Sequence, residues 1–303
     1  MMPNIIFLKP YLSEKVWGGS HLRQYGIDVE NKKIGEAWLI SGIKGYSSIV
    51  YAKGLKPITL DKFYKQHRNW FGNYKSKEYP LLLKLLDCNQ NLSIQVHPTD
   101  QYCKNHKQYQ SKNEAWYILD CKKNAKIVYG HKARAKQELT TLVRENKWNK
   151  LLAYTNVVKD KIYYVPSGTI HALLSGLVVF EIQQPSQTTF RLYDYEREKT
   201  NPSRRLTIKE SIDNTIVPFK KPILNKKDNE LLTTPYFSIK KIINKGKKTY
   251  QFNQTKWLQC FVVGGKGTIN NLPIIKGSTF IISNNQKNFI LNGNLIILLT
   301  YIR

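Results

Sequence analysis

Residues 80–100 read PLLLKLLDCNQNLSIQVHPTD, and the fold turns on whether this apolar run is one helix or two strands. Pro80, the turn-forming cluster Asp87–Asn91 and Pro98 cut it into two short pieces of strand length. Two buried strands therefore fit the run better than one helix. In the second piece Gln95 and His97 stand two residues apart, so both side chains leave the strand on one face, with Cα atoms roughly 7 Å apart. The amide and the imidazole can therefore converge on one small object.

The flanking sequence has the same β character. VWGG (16–19), GEAWLIS (35–41) and SIVYA (48–52) alternate with turn signals, and one helix is expected over TLDKFYKQHRNWFG (59–72), with Thr59 as N-cap and Gly72 as the stop. Residues 135–154, AKQELTTLVRENKWNKLLAY, predict a helix broken near Asn146. Residues 160–195 return to β-branched and aromatic composition with Pro-Ser-Gly and Ser-Gly turns. The stretch 200–235 is rich in Pro, Lys and Asn and lacks periodicity, which places a domain connection there. Short strands with glycine turns follow to residue 303. The expected fold class is mainly β with helical insertions, divided into a domain 1–215 and a second β domain 216–303 that contains no histidine.

With 303 residues, 41% of them hydrophobic, the chain can build one large core or two smaller ones, and about two domains are expected. The cysteines Cys88, Cys103, Cys121 and Cys260 form no CxxC pair, so neither a zinc knuckle nor a disulfide framework is expected. No apolar stretch has membrane-spanning length, and MMPNIIFLKPYLSEKVWGG lacks a basic segment followed by a cleavable apolar one, so a cytoplasmic chain without a membrane partner is expected. Lys and Arg number 48 against 21 Asp and Glu, a net charge of +27. The lysines are spread along the chain among many Asn, Ile and Tyr, as AT-rich codon usage produces, and no nucleic-acid motif accompanies them. No dedicated nucleic-acid partner is expected; the field would instead concentrate a small phosphorylated substrate. A monomer or weak dimer is the expected assembly.

Partners for Gln95 and His97 are found in SKNEAWYIL (111–119), which supplies Glu114, and in YVPSGTIHAL (164–173), which supplies His171. Two imidazoles, a carboxylate and an amide oxygen suit a borderline divalent ion such as zinc, with room for water or substrate. His21, His67, His106 and His131 lie in polar or loop contexts and are read as surface groups. Glu181 in VVFEIQQ is flanked by Val178, Val179, Phe180 and Ile182, and a carboxylate in so apolar a strand has a partner or a task.

PLLLKLLDCNQNLSIQVHPTD, KNEAWYIL, VPSGTIHAL and FEIQQPSQTTFRLYDYER resemble, in order, the signature blocks of the type I mannose-6-phosphate isomerases. VWGG and GEAWLIS are similar to that family's N-terminal blocks. The resemblance implies two cupin jelly-roll barrels, the first metal-bearing and the second degenerate, and one Zn2+ per chain held by Gln95, His97, Glu114 and His171. It also implies interconversion of mannose 6-phosphate and fructose 6-phosphate through an enediolate. Arg191, Lys112 and Glu181 match active-site positions of the family, and Lys84, Ser93 and Arg197 match its phosphate-side positions. Two departures stand out: Gln187 occupies a place that is usually acidic, and Leu39 one where Glu is common. Gln187 is the support for a rival, a sugar-phosphate-binding cupin without catalysis or with altered specificity. A further rival, an iron-bearing oxygenase cupin, is disfavoured by Lys84, Ser93 and Arg191, since an oxygenase has no general need of a phosphate cradle.

Overall fold

The structure, a computed structural model, describes residues 2–29, 33–225, 230–252 and 256–303. It is mainly β, and its chain contacts separate two compact units: Met1–Lys15, Ser20–Leu85 and Leu224–Arg303 in the first, Val16–Gly19 and Leu86–Ile223 in the second. These units do not follow a single cut between 215 and 216. The reason is strand pairing: Ile5–Lys9 pairs antiparallel with Thr279–Ile282, bringing Ile6 opposite Ile281, and on its other edge with Ile49–Ala52, bringing Leu8 opposite Val50. The N-terminal strand thus belongs to the C-terminal sheet. Within that unit Ile5, Leu258, Val262, Phe280, Leu291 and Leu299 share one buried cluster, as alternating residues of antiparallel strands must if one sheet face is dry.

The second unit holds the residues singled out in the sequence. One sheet has the strand order Leu152–Asn156, Lys126–His131, His171–Leu173, Ile94–Val96, Phe190–Tyr193. Ile162–Val165, Glu114–Cys121 and Leu177–Gln183 lie side by side in another. Trp116, Ile118, Val165 and Val179 from the latter meet Ile127, Tyr129 and Leu173 from the former in a single core. The opposite face of the five-stranded sheet, Ile94, Val128, Ala172 and Leu192, is covered by Leu139, Val143 and Leu151 of the helices Lys136–Arg144 and Trp148–Leu151. Burial on both faces explains why these strands read as nearly continuous apolar runs. Among the described residues the sheets are open paths, so the expected closed barrels are corrected: side chains of two sheets, not a ring of strand pairs, enclose this core.

The 80–100 run is indeed two strands, Leu82–Cys88 and Ile94–Val96. The 59–72 helix is split into Leu60–Gln66 and a 3-10 turn Arg68–Phe71, ending at Gly72 with φ 65°. Thr59 has the extended N-cap conformation without a capping bond from its side chain. The 135–154 helix breaks at Asn146, whose φ is 52°. The connection region contains a helix the periodicity did not reveal, Ile208–Asn214, and residues 226–229 of it lie outside the described residues. No helix among the described residues is long and apolar enough to cross a membrane.

Gly130 closes the Lys126–His131 strand at φ +89°, and a Cβ there would lie 2.2 Å from Phe219 Cδ1. Gly130→Ala combines backbone strain of about 1–3 kcal/mol with overpacking against a partly buried ring. We expect a lower urea midpoint with an unchanged slope, and an unchanged midpoint would contradict this packing.

Candidate metal centre

Strand register sets the site. In the five-stranded sheet Arg191 lies opposite Gln95, Gln95 opposite His171, and His171 opposite Tyr129, so four side chains form one row on the core face. His97 follows Gln95 by two and shares that face. In the facing sheet Glu114 is flanked by Gln183 and Val165, and Trp116 by Glu181 and Tyr163. The two rows meet. The rings of His97 and His171 are 4.7 Å apart, and Glu114 places Oε2 3.2 Å from His97 Nε2 and Oε1 3.4 Å from His171 Nε2. The ligand atoms of His97, Glu114 and His171 all lie within 4.8 Å of one another, and all three residues are buried.

The protonation of this cluster follows from its neighbours. His97 Nδ1 faces the Thr188 carbonyl at 3.0 Å and His171 Nδ1 the Thr169 carbonyl at 2.8 Å. A carbonyl only accepts, so each Nδ1 carries the proton and each Nε2 presents a lone pair. Burial, helped by the Lys112 charge, pushes His97 down to about 3 despite the pull of Glu114, and burial likewise lowers His171. For Glu114 burial favours the neutral form, but Lys112 and the two imidazoles hold it well below the usual carboxylate range. Two neutral imidazoles and a carboxylate are the forms that ligate a cation. Buried His97 Nε2 and both Glu114 oxygens make no hydrogen bond, although Lys112 Nζ stands 2.9 Å from Glu114 Oε2 as an ion pair. Lone pairs facing one another in a dry interior are unfavourable unless a cation lies among them. The residues therefore fit a divalent ion. Gln95 joins them: its Nε2 is 3.1 Å from His171 Nε2, and a half-turn of the amide presents Oε1 instead.

The remaining predicted residues fall in different places. Ser93 is buried and its hydroxyl donates to Gln95 Oε1 at 3.4 Å. Glu181 is 4% exposed and its Oε2 accepts from Trp116 Nε1 at 3.0 Å, while the Trp116 ring meets His171 edge-on at 5.4 Å. Arg191 is half-buried; burial and Arg204 lower its pKa against the support of Asp194, and its Nε has no hydrogen-bond partner. Arg197 directs Nη1 to the Asn91 carbonyl at 2.8 Å and to Asp194 at 3.4 Å, and Nη2 to Gln90 Oε1 at 3.1 Å, so it braces the turn at 90–91. Lys84 belongs to the first unit, where Nζ is 3.9 Å from Glu36 Oε1 and 4.9 Å from the Trp38 ring centroid.

Gln187 is exposed on the loop that carries Thr188, and Leu39 is fully buried. His131, read as a surface group, is buried with Nε2 2.9 Å from the Ile216 carbonyl. The polar GH at the end of its strand suggested solvent, but the segment 216–219 covers it. Sequence reasoning also missed the orienting carbonyls of Thr169 and Thr188, which belong to the backbone and leave no mark in residue type.

The description "Phosphomannose isomerase type I, catalytic domain" matches residues 5–128, and "Mannose-6-phosphate isomerase, cupin domain" matches residues 227–302. The chain is 36% identical over 302 residues to mannose-6-phosphate isomerase ManA of Bacillus subtilis, covering 95% of this chain and 96% of that one. The crystal structure of the mannose 6-phosphate isomerase from Bacillus subtilis superimposes with a TM-score of 0.92 at 35% identity, over 98% of this chain and 99% of that chain. A zinc-bound mannose 6-phosphate isomerase shares the fold at a TM-score of 0.81 and 15% identity, over 99% of this chain and 100% of that chain. On identity above a third over nearly its whole length, the chain belongs to the type I phosphomannose isomerase family of enzymes.

Proposed function

We propose that the chain is a zinc-dependent aldose–ketose isomerase that interconverts D-mannose 6-phosphate and D-fructose 6-phosphate through an enediolate, working in the cytoplasm. The observation that carries this proposal is the buried His97–Glu114–His171 cluster, whose ligand atoms converge while His97 Nε2 and both Glu114 oxygens make no hydrogen bond. Gln95, His97, Glu114 and His171 would hold one ion per chain. When bound, zinc acts as a Lewis acid that stabilises negative charge developing on the sugar oxygens.

The other steps fall to side chains. Isomerisation moves a proton between C1 and C2, which needs a positioned base near both carbons. Lys112, buried against Glu114, and Glu181, buried on the same sheet face as Glu114, are the titratable groups assigned to that task. Arg191, in one row with Gln95 and His171, holds the anionic substrate near the reacting end, since a guanidinium keeps its charge and offers forked donors to phosphate. Ser93 and Lys84 are assigned to the phosphate side; the contacts of Arg197 support a bracing role for it beside that site. The proposed ligands all fall within 1–215, and 216–303, which has no histidine and shares its sheet with Ile5–Lys9, is assigned no part in metal binding.

The test is a coupled assay on protein of measured metal content. Activity on mannose 6-phosphate should vanish on chelation and return with zinc. Fully zinc-loaded protein that fails to isomerise the sugar would leave a sugar-phosphate-binding cupin, to which the exposed Gln187 already lends support.

A further inference from the structure

One buried side chain outside the ligand set bonds to the segment that leads to His171 and to the one that leads to the Thr188 carbonyl, which receives His97 Nδ1. Asn113 immediately precedes Glu114 and is 3% exposed. Its backbone N–H and its Nδ2 both donate to Gln184 Oε1, at 3.0 and 2.8 Å, and its carbonyl accepts from the Gln184 N–H at 3.2 Å. Its Oδ1 accepts from the Ser167 N–H at 3.1 Å and from the Tyr164 hydroxyl at 3.3 Å. Only the oxygen can receive a backbone N–H, so the orientation of this amide is fixed by its partners.

Each of the two arms ends on an imidazole. Beyond Ser167, the Gly168 N–H donates to the His97 carbonyl at 3.0 Å, and the Thr169 carbonyl receives His171 Nδ1. Beyond Gln184, the Ser186 hydroxyl accepts the Thr188 N–H at 3.2 Å, and the Thr188 carbonyl receives His97 Nδ1. The topology makes this possible. Glu114–Cys121 lies between Ile162–Val165 and Leu177–Gln183, so a short amide at its entrance reaches the loop after either neighbour.

We propose that Asn113 is a positioning residue, which sets the two imidazoles relative to Glu114 and thereby the affinity and geometry of the metal centre; this rests on the metal centre proposed above. Alanine would take the acceptor from the Ser167 N–H and leave Gln184 Oε1 with only the backbone N–H of residue 113, and the loops would shift to recover the lost bonds. Aspartate would keep the acceptor but turn a carboxylate oxygen toward Gln184 Oε1. Removing partners that orient metal ligands costs about 10–100-fold in metal affinity.

Zinc affinity, by competition with a chromophoric chelator, and the visible spectrum of the cobalt(II)-loaded protein are the readouts. Asn113→Ala, Asn113→Asp and Gln184→Ala should each weaken zinc about 10–100-fold and alter the cobalt bands. The Asn113/Gln184 double variant should lose less than the two single losses combined. Asn244→Ala is the control: that side chain is also buried and bridges two carbonyls, of Gly246 and Gly293, each at 2.8 Å, in the other unit. It should lower the melting temperature and leave zinc affinity and spectrum alone. Unaltered affinity and spectrum in Asn113→Ala, or an equal change in Asn244→Ala, overturns the inference alone. An unmodified chain that binds neither ion overturns the metal centre and the inference together.

Discussion

His171→Ala should lose zinc and isomerase activity in the same preparation. His171 is fully buried and lies in register between Gln95 and Tyr129, and its Nδ1 donates to the Thr169 carbonyl, which aims Nε2 at Glu114. Loss of a direct ligand exceeds the loss of an outer partner, so zinc affinity should fall by more than about 100-fold. A Lewis acid contributes several kcal/mol to the barrier, so turnover at limiting zinc should drop by about 10³-fold or more. Zinc should also stabilise the unmodified chain against heat, as any ligand of the folded state does, and should fail to do so in the variant. Metal analysis beside the coupled assay decides the matter: a variant that keeps a full equivalent of zinc at the original affinity removes His171 from the site.

Arg191→Lys separates chemistry from metal binding. The residue faces Gln95 across the strand pair, and its backbone N–H donates to Thr207 Oγ1 at 2.7 Å, a bond that lysine keeps. The fold and zinc content should therefore be retained. Lysine supplies a point charge where arginine supplies a planar fork, so the anion is held with poorer geometry. Loss of one preorganised electrostatic contact costs about 10²–10³ in turnover, and we expect a fall of that order with a raised KM. An unmodified rate on mannose 6-phosphate would strike Arg191 from the reacting end.

Sequence pointed to the residues that converge because the signal was local. Gln95 and His97 are two apart on a short strand, and Pro80, Pro98 and the 87–91 turn bound that strand whatever the rest of the chain does. The helix break at Asn146 was legible for the same reason. What escaped was non-local or carried by backbone. Ile208–Asn214 hides in a Lys- and Asn-rich stretch because its buried residues are the polar Ser211 and Asn214, with Ile208 and Ile212 only partly buried against the core. The burial of His131 depends on a segment more than eighty residues away in sequence. Arg197 sits in a signature block, yet its donors reach Gln90 and Asn91, a distant turn that residue type could not specify. The closed barrels were an inference from family likeness, and the strand pairing replaces them with packed open sheets.

The pairing of Ile5–Lys9 with Thr279–Ile282 imposes an order on synthesis. At about 5–20 residues per second, a ribosome reaches the partner strand only tens of seconds after the first strand has left the exit tunnel. During that interval Ile5, Ile6 and Leu8 have no mate on that edge, whereas nearly all of the unit that contains His97, Glu114 and His171, Leu86–Ile223, is one continuous stretch that can condense while translation proceeds. The middle of the chain can thus fold before its first strand meets that partner.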